Sequence, residues 1–159
     1  MKKKGFTLVE LLAVIAILAI LVIVAMPNVL GMFNQAKYNT FVTEVQSYMD
    51  SAKTAFVSSS LQAGNTNNII YNNTGLSMSG NKSYYVEMDR FGNYVRVVVW
   101  DTNFCYDTKQ AAPFTGASAK AIEKSEVKAD DVYVQKKTGT PTDTANTNGF
   151  CTGEKAVNQ

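Results

Sequence analysis

A long apolar run close to the N-terminus constrains this chain more than any other feature. Every residue from 11 to 26 is apolar. A segment of this length and composition is typical of a membrane-spanning helix, which needs roughly 20 mostly apolar residues. Three lysines at positions 2–4 precede it, and positive charge at one end of such a helix favours the cytoplasmic side. The sequence therefore predicts that most of the chain is translocated.

The position of Gly5 distinguishes this segment from an ordinary secretory signal. A secretory signal places its small-residue cleavage site after the apolar core, whereas Gly5 lies before it, between Lys4 and Phe6. Glycine has no Cβ, so its backbone can extend into a protease cleft with little steric cost. Cleavage after Gly5 would leave the apolar segment on the mature protein, which would then begin at Phe6.

Residues 4–12 read Lys-Gly-Phe-Thr-Leu-Val-Glu-Leu-Leu, and they resemble the processing motif of type IV prepilins and pseudopilins. The resemblance covers roughly the first third of the chain. It implies that a membrane-embedded prepilin peptidase cleaves between Gly5 and Phe6 and methylates the new amine of Phe6. It also implies that an assembly ATPase and a platform protein polymerise the mature chain into a surface filament. The alternative is an ordinary signal anchor in which Gly5 and Glu10 have no special role.

Glu10 is the one carboxylate near the start of this apolar segment. A carboxylate within a bilayer is costly, so its presence calls for a partner. The nearest positive group on the mature segment is the N-terminal amine of Phe6, about one helical turn earlier. We therefore expect Glu10 and Phe6 to act in filament assembly, with the amine supplied by a neighbouring subunit. The alternative is that Glu10 simply lies at the membrane surface.

Pro27 follows the apolar run, within a pattern that is helical on both sides. A proline inside a helix removes one backbone hydrogen bond and crowds the preceding turn, and Gly31 weakens the same region because glycine disfavours helix. Similar pilins carry a proline at this place, and the resemblance implies that the helix near Pro27 and Gly31 can unwind locally in a filament. A simple kink at the membrane exit is the alternative.

Helical periodicity continues beyond the apolar run. Apolar residues recur there at steps of three or four, at Phe41, Val45, Tyr48, Ala52 and Phe56. The pattern predicts one nearly continuous helix over residues 6–59, apolar all round in its first half and amphipathic in its second. The first half then requires lipid or other subunits, and the second half packs on a head domain of the same chain.

The head is predicted to contain a long loop and a hairpin. Residues 58–82 are rich in Ser, Asn, Thr and Gly, which indicates a loop wrapped over the head. Residues 84–88 and 93–100 have the composition of strands, and the intervening turn ends at Gly92, which can adopt positive φ. The pattern predicts an antiparallel hairpin with three valines on one face, Val95, Val97 and Val99.

The C-terminal part carries weaker patterns. Residues 117–129 indicate a short helix and residues 131–137 a third strand. From residue 138 onward the chain is polar, and such a tail frays unless it is tied down. Cys105 and Cys151 both lie in the translocated part, without metal-type spacing, and an oxidising compartment permits one disulfide between them. Closing that loop contributes on the order of 4 kcal/mol in the chain-entropy model.

Composition argues against catalysis, metal binding and nucleic-acid binding. The chain has no histidine, which removes the commonest general base and metal ligand. Without the leader it loses three of its 15 Lys and Arg residues and none of its 13 Asp and Glu residues, so its net charge becomes −1. Residues 75–83 only approximate a phosphate loop, because Asn81 is inserted and a strand follows. Acidic residues near position 130 alternate with lysines, which favours a solvated face.

The sequence thus predicts an α+β, pilin-like fold. Its long N-terminal helix packs its C-terminal half on a small antiparallel sheet, and a disulfide bounds the C-terminal region. We expect a leader at 1–5, a transmembrane and filament-core half-helix at 6–28, and a head at 29–159. The expected function is a type IV pilus subunit that passes from the cytoplasmic membrane to the cell surface and serves adhesion or twitching motility, without catalytic, cofactor or metal sites. The alternatives are a minor pilin, a pseudopilin of a secretion or DNA-uptake system, and a membrane-tethered binding module or enzyme.

Overall fold

The computed structural model describes residues 6–63, 67–78, 80, 82–108, 122–134, 150–151 and 154–156. Gly5 and the rest of the leader lie outside the described residues, as do the first part of the expected helix at 117–129, the end of the expected strand at 131–137 and residues 138–149 of the tail. The chain divides into two compact units, one reaching to Ala36 and one running over Lys37–Asn158.

Helix α1 covers Leu8–Ala63, and it is continuous through Pro27. In the first unit every large apolar side chain from Phe6 to Phe33 is between 45% and 82% exposed. Leucine and alanine are strong helix formers, and the described part of this unit leaves the apolar side chains of the segment exposed. Its stability therefore depends on an apolar environment outside the single chain.

Within the second unit, α1 buries the predicted stripe against the sheet. Phe41, Val45 and Ala52 are at most 1% exposed, and Tyr48 and Phe56 are also buried. The predicted amphipathic half of the helix is therefore confirmed. The helix continues past residue 59 to Ala63. Ser58, Ser59 and Ser60 donate their hydroxyls to carbonyl oxygens of the preceding turn, which satisfies these polar side chains within the helix.

Among the described residues, six strands form one antiparallel sheet in chain order. The strands are β1 Ile69–Asn72, β2 Ser83–Met88, β3 Tyr94–Trp100, β4 Phe104–Asp107, β5 Tyr133–Val134 and β6 Glu154–Lys155. Together with α1 they confirm the α+β, pilin-like architecture.

The predicted hairpin is β2 and β3, but one of its valines is placed differently. A bulge at Glu87 and Met88 pairs Glu87 with Arg96 and Met88 with Tyr94, so Val95 is the extra residue. Val97 and Val99 lie in the core below α1, and Tyr94 packs there in place of Val95. The expectation for Val95 is wrong because the alternation is interrupted one residue into the strand.

The predicted loop over residues 58–82 is wrong at its start and near its middle. The helix extends to Ala63, and residues 69–72 form strand β1, which pairs with β2. Asn73 adopts positive φ and accepts the N–H of Tyr84 through its side chain. Strand β1 lies at the edge of the sheet, and its burial alternates between half-buried and exposed.

The opposite face of the sheet has its own apolar cluster, formed by Tyr85, Val98, Trp100, Cys105, Phe150 and Cys151. The predicted disulfide joins Cys105 to Cys151, and Phe150 packs on Trp100 with ring centroids 4.8 Å apart. The C-terminal residues that the structure describes are thereby fastened to the sheet.

The segment before β5 contains two short 3₁₀ turns, Lys124–Glu126 and Ala129–Asp131. The described part of the helix expected at 117–129 is therefore not α-helical. Glu123 and Glu126 form a reciprocal capping box there, and such local side-chain bonds stabilise a short turn in place of a longer helix. Of the third strand expected at 131–137, Tyr133 and Val134 form β5, whereas Asp131 ends the second 3₁₀ turn.

Candidate functional site

The start of α1 is organised by Thr7 and Glu10. The backbone N–H and the hydroxyl of Thr7 both donate to Glu10 Oε2, at 2.8 and 2.7 Å. In return, the Glu10 N–H donates to Thr7 Oγ1 at 3.4 Å. This is a capping box, in which a threonine before the helix and a glutamate three residues later satisfy each other's donors.

The capping box changes one expectation about Glu10. The sequence argument treated its carboxylate as unmatched in the single chain, whereas the structure gives it two donors from Thr7. The Thr-x-x-Glu spacing of residues 7–10 is a sequence signal for this arrangement. Because both donors belong to Thr7, the carboxylate is held toward the N-terminal end of the helix, where the amine of Phe6 would begin the mature chain.

The other N-terminal site residues are placed as follows. Phe6 precedes the helix and is 82% exposed, and Gly5 lies outside the described residues. Pro27 and Gly31 both lie inside the continuous helix. Since proline has no N–H to donate, the carbonyl oxygen of Ile23 lacks its usual helical donor. The helix is therefore weakened at this point while remaining helical in the single chain.

The exposed segment of α1 has the length and composition of a membrane span. Within the described part of the chain, one helix meets that test, over Leu8–Leu61, and its most apolar window of 18 residues has a mean hydropathy of 3.2. None of its most apolar window is buried inside the protein. A core helix of a soluble domain would be mostly covered, so the exposure distinguishes this segment from such a helix and fits a membrane span.

A family model described as the prokaryotic N-terminal methylation motif matches residues 1–26. The chain carries the signature of type IV pilins and pseudopilins. No curated protein and no solved structure matches it. The match includes Gly5, Phe6 and Glu10, and this pilin-like protein therefore has the motif that implies prepilin peptidase processing and polymerisation. Its apolar N-terminal helix fits a membrane-anchored prepilin that becomes part of a surface fibre.

In the pilin-like head, three acidic residues of the segment near position 130 and of α1 have structural partners. Glu126 accepts the N–H of Glu123 at 3.2 Å, and Asp131 pairs with Lys155 at 3.2 Å. Lys124 pairs with Asp50 of α1, which links this segment to the helix. These contacts place Glu126 in a turn and Asp131 and Asp50 in ion pairs between elements.

Sequence reasoning missed a buried ion pair on the outer face of the sheet, the face opposite α1. Arg96 and Asp107 are both completely buried, and they form two hydrogen bonds at 3.2 and 2.8 Å. Asp107 also accepts the N–H of Phe150 at 2.9 Å. Removing one partner of such a pair leaves a buried charge and costs roughly 3–5 kcal/mol. The sequence offered no signal for it, because Arg96 lies among valines and Asp107 ends a strand.

Proposed function

We propose that this protein is the major structural subunit of a type IV pilus. The prepilin peptidase would cleave after Gly5 and methylate Phe6, and the assembly ATPase and platform protein would add the mature subunit to the growing fibre. The observation that carries this proposal is the methylation motif at residues 1–26 joined to a helix whose apolar side chains are exposed. The motif supports processing, and the exposed helix supports packing against copies of itself.

The physical argument concerns where the apolar half of α1 can reside. In water, exposing about 20 large apolar side chains is strongly unfavourable, at roughly 25 cal/mol per Å² of apolar surface. A bilayer covers this surface before assembly, and neighbouring helices cover it in a fibre. The proposed organisation is therefore a leader at 1–5, a span and fibre-core segment at 6–28 and a head at 29–159.

The proposal also assigns roles to Glu10 and to the region of Pro27 and Gly31. The positive amine of Phe6 on an incoming subunit would pair with Glu10 of its neighbour, in addition to the bonds that Thr7 already makes. Local unwinding near Pro27 and Gly31 would let neighbouring helices pack more closely, because one helical hydrogen bond is already absent there. The processed chain would then pass from the cytoplasmic membrane to the cell surface, where it serves adhesion or motility.

A minor pilin or a pseudopilin is the alternative within the same superfamily, since these share the N-terminal motif. The two roles differ in abundance. The major subunit forms the main protein of sheared surface fibres, whereas a minor subunit or pseudopilin is scarce there. A membrane-tethered binding module, the alternative from another class, would stay in the membrane and form no fibre.

Mass spectrometry and electron microscopy of sheared surface material test the proposal. We expect fibres whose main protein has the intact mass of a chain that begins at Phe6 and carries one added methyl group. Gly5→Val is a matched variant, because a branched Cβ obstructs the extended backbone at the cleavage site, and it should accumulate in the membrane with Met1 or Lys2 at its N-terminus. Retention of the leader in the wild type, or cleavage beyond Met26, would contradict the proposal.

A further inference from the structure

The turn between β2 and β3 presents an exposed aromatic and cationic pair on a rigid frame. Phe91 is 70% exposed, and the guanidinium of Arg90 lies 4.6 Å from its ring centroid. Asp89 fixes the turn, since its carboxylate accepts the N–H groups of Phe91 and Asn93, each at 2.8 Å. We call residues 89–93 the hairpin tip.

Helix α1 contacts the hairpin tip directly. Lys53 donates to the carbonyl oxygen of Gly92 at 2.6 Å. Gly92 has φ of +82°, and a Cβ there would come within 2.7 Å of the Phe56 ring. The tip is thus seated closely on α1, and Phe91 is held outward with the Arg90 guanidinium over its ring. Aromatic and arginine side chains presented in this way are typical of interface hot spots, and a rigid loop loses little entropy on binding.

A cleft of about 650 Å³ lies elsewhere on the head. Its lining comes from α1, from the residues before β2 and from the residues after β3, and it consists of Glu44, Ser47, Tyr48, Met78, Gly80, Lys82, Asp101 and Thr102. Lys82 contacts Glu44 at 2.9 Å and Asp101 at 2.6 Å. Two carboxylates against one amine leave the cleft with a net negative charge, and we call it the acidic cleft.

The two carboxylates of the acidic cleft differ in what they can still bind. Asp101 also accepts the N–H groups of Asn103 and Phe104, at 2.7 and 2.8 Å, so its oxygens are engaged inside the head. The Glu44 side chain is 43% exposed and faces solvent at the cleft. A guanidinium suits such a carboxylate because its planar fork can donate two parallel hydrogen bonds. Met78, which is half-buried, supplies apolar surface beside it.

The hairpin tip and the acidic cleft lie at opposite ends of the same two strands. Ser83 pairs with Trp100 at the cleft end, and Met88 pairs with Tyr94 at the tip end. A hairpin of this length extends about 20 Å, and its strands are buried in the sheet. The tip therefore cannot reach the cleft of its own chain, although it can reach the cleft of a second copy.

We propose that the hairpin tip of one copy of this chain inserts into the acidic cleft of the next, with Arg90 pairing with Glu44 and Phe91 packing on Met78. The surfaces are different, so the contact is heterologous, and repeating it produces an open fibre instead of a closed dimer. The inference rests on the proposed function, because this contact is too small to hold two heads together alone. The contact between heads acts in addition to the packing of the helices, and it sets how neighbouring heads are aligned.

Cysteine cross-linking of the full chain in cells tests the contact directly. The natural cysteines are both in the Cys105–Cys151 disulfide, so introduced thiols are distinguishable. We expect the double variant Phe91→Cys with Thr102→Cys to give a ladder of dimers, trimers and longer species on mild oxidation. Each single variant should give no ladder, and neither should the matched pair Ile70→Cys with Thr102→Cys, whose exposed residue 70 lies on β1.

Filament yield gives an independent measurement. Phe91→Ala should lower the yield of sheared filaments roughly tenfold, the effect of losing a hot-spot side chain, while processing after Gly5 is unchanged. Thr102→Trp should do the same, because an indole obstructs the mouth of the cleft. Ile70→Ala, which removes an exposed side chain of similar size outside the contact, should leave the yield unchanged.

The outcomes separate this contact from the proposed function. Wild-type filaments that form without the ladder, or with undiminished yield in Phe91→Ala, overturn the contact and leave the pilus proposal in place. Dimers from Phe91→Cys alone also overturn it, because they indicate that two tips meet. A ladder in membranes of cells that make no filaments supports the contact and contradicts the pilus proposal, and the absence of both filaments and ladder overturns both.

Discussion

At the scale of single residues, Lys82 and Asp101 show how a partly buried carboxylate is stabilised at the edge of the head. Burial raises the pKa of the Asp101 carboxyl, but hydrogen bonds from Lys82 and from the N–H groups of Phe104 and Asn103 outweigh it and hold the pKa below its ordinary value. The carboxylate is therefore favoured in the folded state. Because it joins Lys82 to the turn after β3, its charge contributes to stability where two strands meet the helix.

Asp101→Asn should destabilise the head by about 1 kcal/mol at pH 7, since it removes the charge that pairs with Lys82 but keeps an acceptor for the turn. A lowered folded-state pKa gives stability that is present above the unfolded-state value of about 3.9 and is lost as the pH falls through the folded-state value. The difference from wild type should therefore shrink below about pH 3.9. Urea unfolding of the full chain in detergent, followed by the fluorescence of Trp100, the single tryptophan, measures this.

Asp130→Asn is the control for that experiment, because Asp130 is exposed in a 3₁₀ turn, and it should change stability little at either pH. A constant difference between Asp101→Asn and wild type from pH 7 to pH 3 would mean that the charge of Asp101 has no stabilising role.

Residues governed by local sequence were predictable, and residues governed by distant packing were not. The roles expected for Gly5, Phe6 and Glu10 rest on a short motif and stay predictions. The capping role of Thr7 is observed, and its spacing from Glu10 indicates it. Arg96 and Asp107 lie on neighbouring strands, and their pairing depends on how those strands are aligned. A bulge decides which side of β3 each residue faces, and the sequence has no glycine at that position to indicate it.

At the scale of elements, α1 and the β2–β3 hairpin were predicted because their patterns persist over many residues. Strand β1 was missed because four residues at the edge of a sheet, surrounded by Asn and Thr, lack an alternating pattern long enough to recognise. The strands near the C-terminus are two residues each, and they are supported by the disulfide and by Lys155, which contacts Asp131. Such elements are consequences of tertiary contacts and carry almost no local signal.

Cys151→Ser should loosen the outer face of the sheet and leave the core under α1 folded. The disulfide, the Phe150–Trp100 contact and the Phe150–Asp107 hydrogen bond all hold the same short segment. Losing the covalent link should cost roughly 2–5 kcal/mol, and the emission of Trp100 should shift to longer wavelength as Phe150 leaves it. Circular dichroism should retain the signal of α1.

Cys105→Ser and chemical reduction of the wild type should give the same emission shift, since each removes the same bond. If the fluorescence of Trp100 stays unchanged in all three cases, the disulfide does not hold Phe150 on the sheet. If the helical signal is also lost, the two faces of the sheet unfold together and the separation into two clusters has no energetic meaning.

At the scale of the whole molecule, assembly requires a register as well as an apolar surface. Helices as uniformly apolar as residues 11–26 gain similar packing at many axial offsets, because contact between aliphatic side chains is non-directional. Polar contacts between subunits must then select one axial offset between neighbouring helices. The chain offers Glu10 near the start of the helix and, by inference, the hairpin tip and acidic cleft in the head. Two such contacts restrict the sliding and rotation of neighbouring subunits more than a single contact does.

Glu10→Ala should leave membrane insertion and cleavage after Gly5 intact, because neither step needs the carboxylate and its removal makes the helix more apolar. Assembly should fail, since the amine of an incoming Phe6 then has no carboxylate to meet. Glu10→Gln is the sharper variant, because an amide oxygen can still accept the bonds from Thr7 while the charge is gone. We expect both variants to yield mature protein in membranes and at least roughly tenfold less sheared filament, an effect of 1.4 kcal/mol or more.

Thr7→Val separates pairing between subunits from capping within one subunit. It removes the hydroxyl that donates to Glu10 but keeps the backbone donor and the charge, so filament yield should fall less than in Glu10→Gln. All variants should be expressed alone, in cells without the wild-type subunit, with membrane and sheared fractions measured separately by intact mass. If Glu10→Gln assembles normally while Thr7→Val does not, then capping of the helix governs assembly and the charge of Glu10 does not set the register.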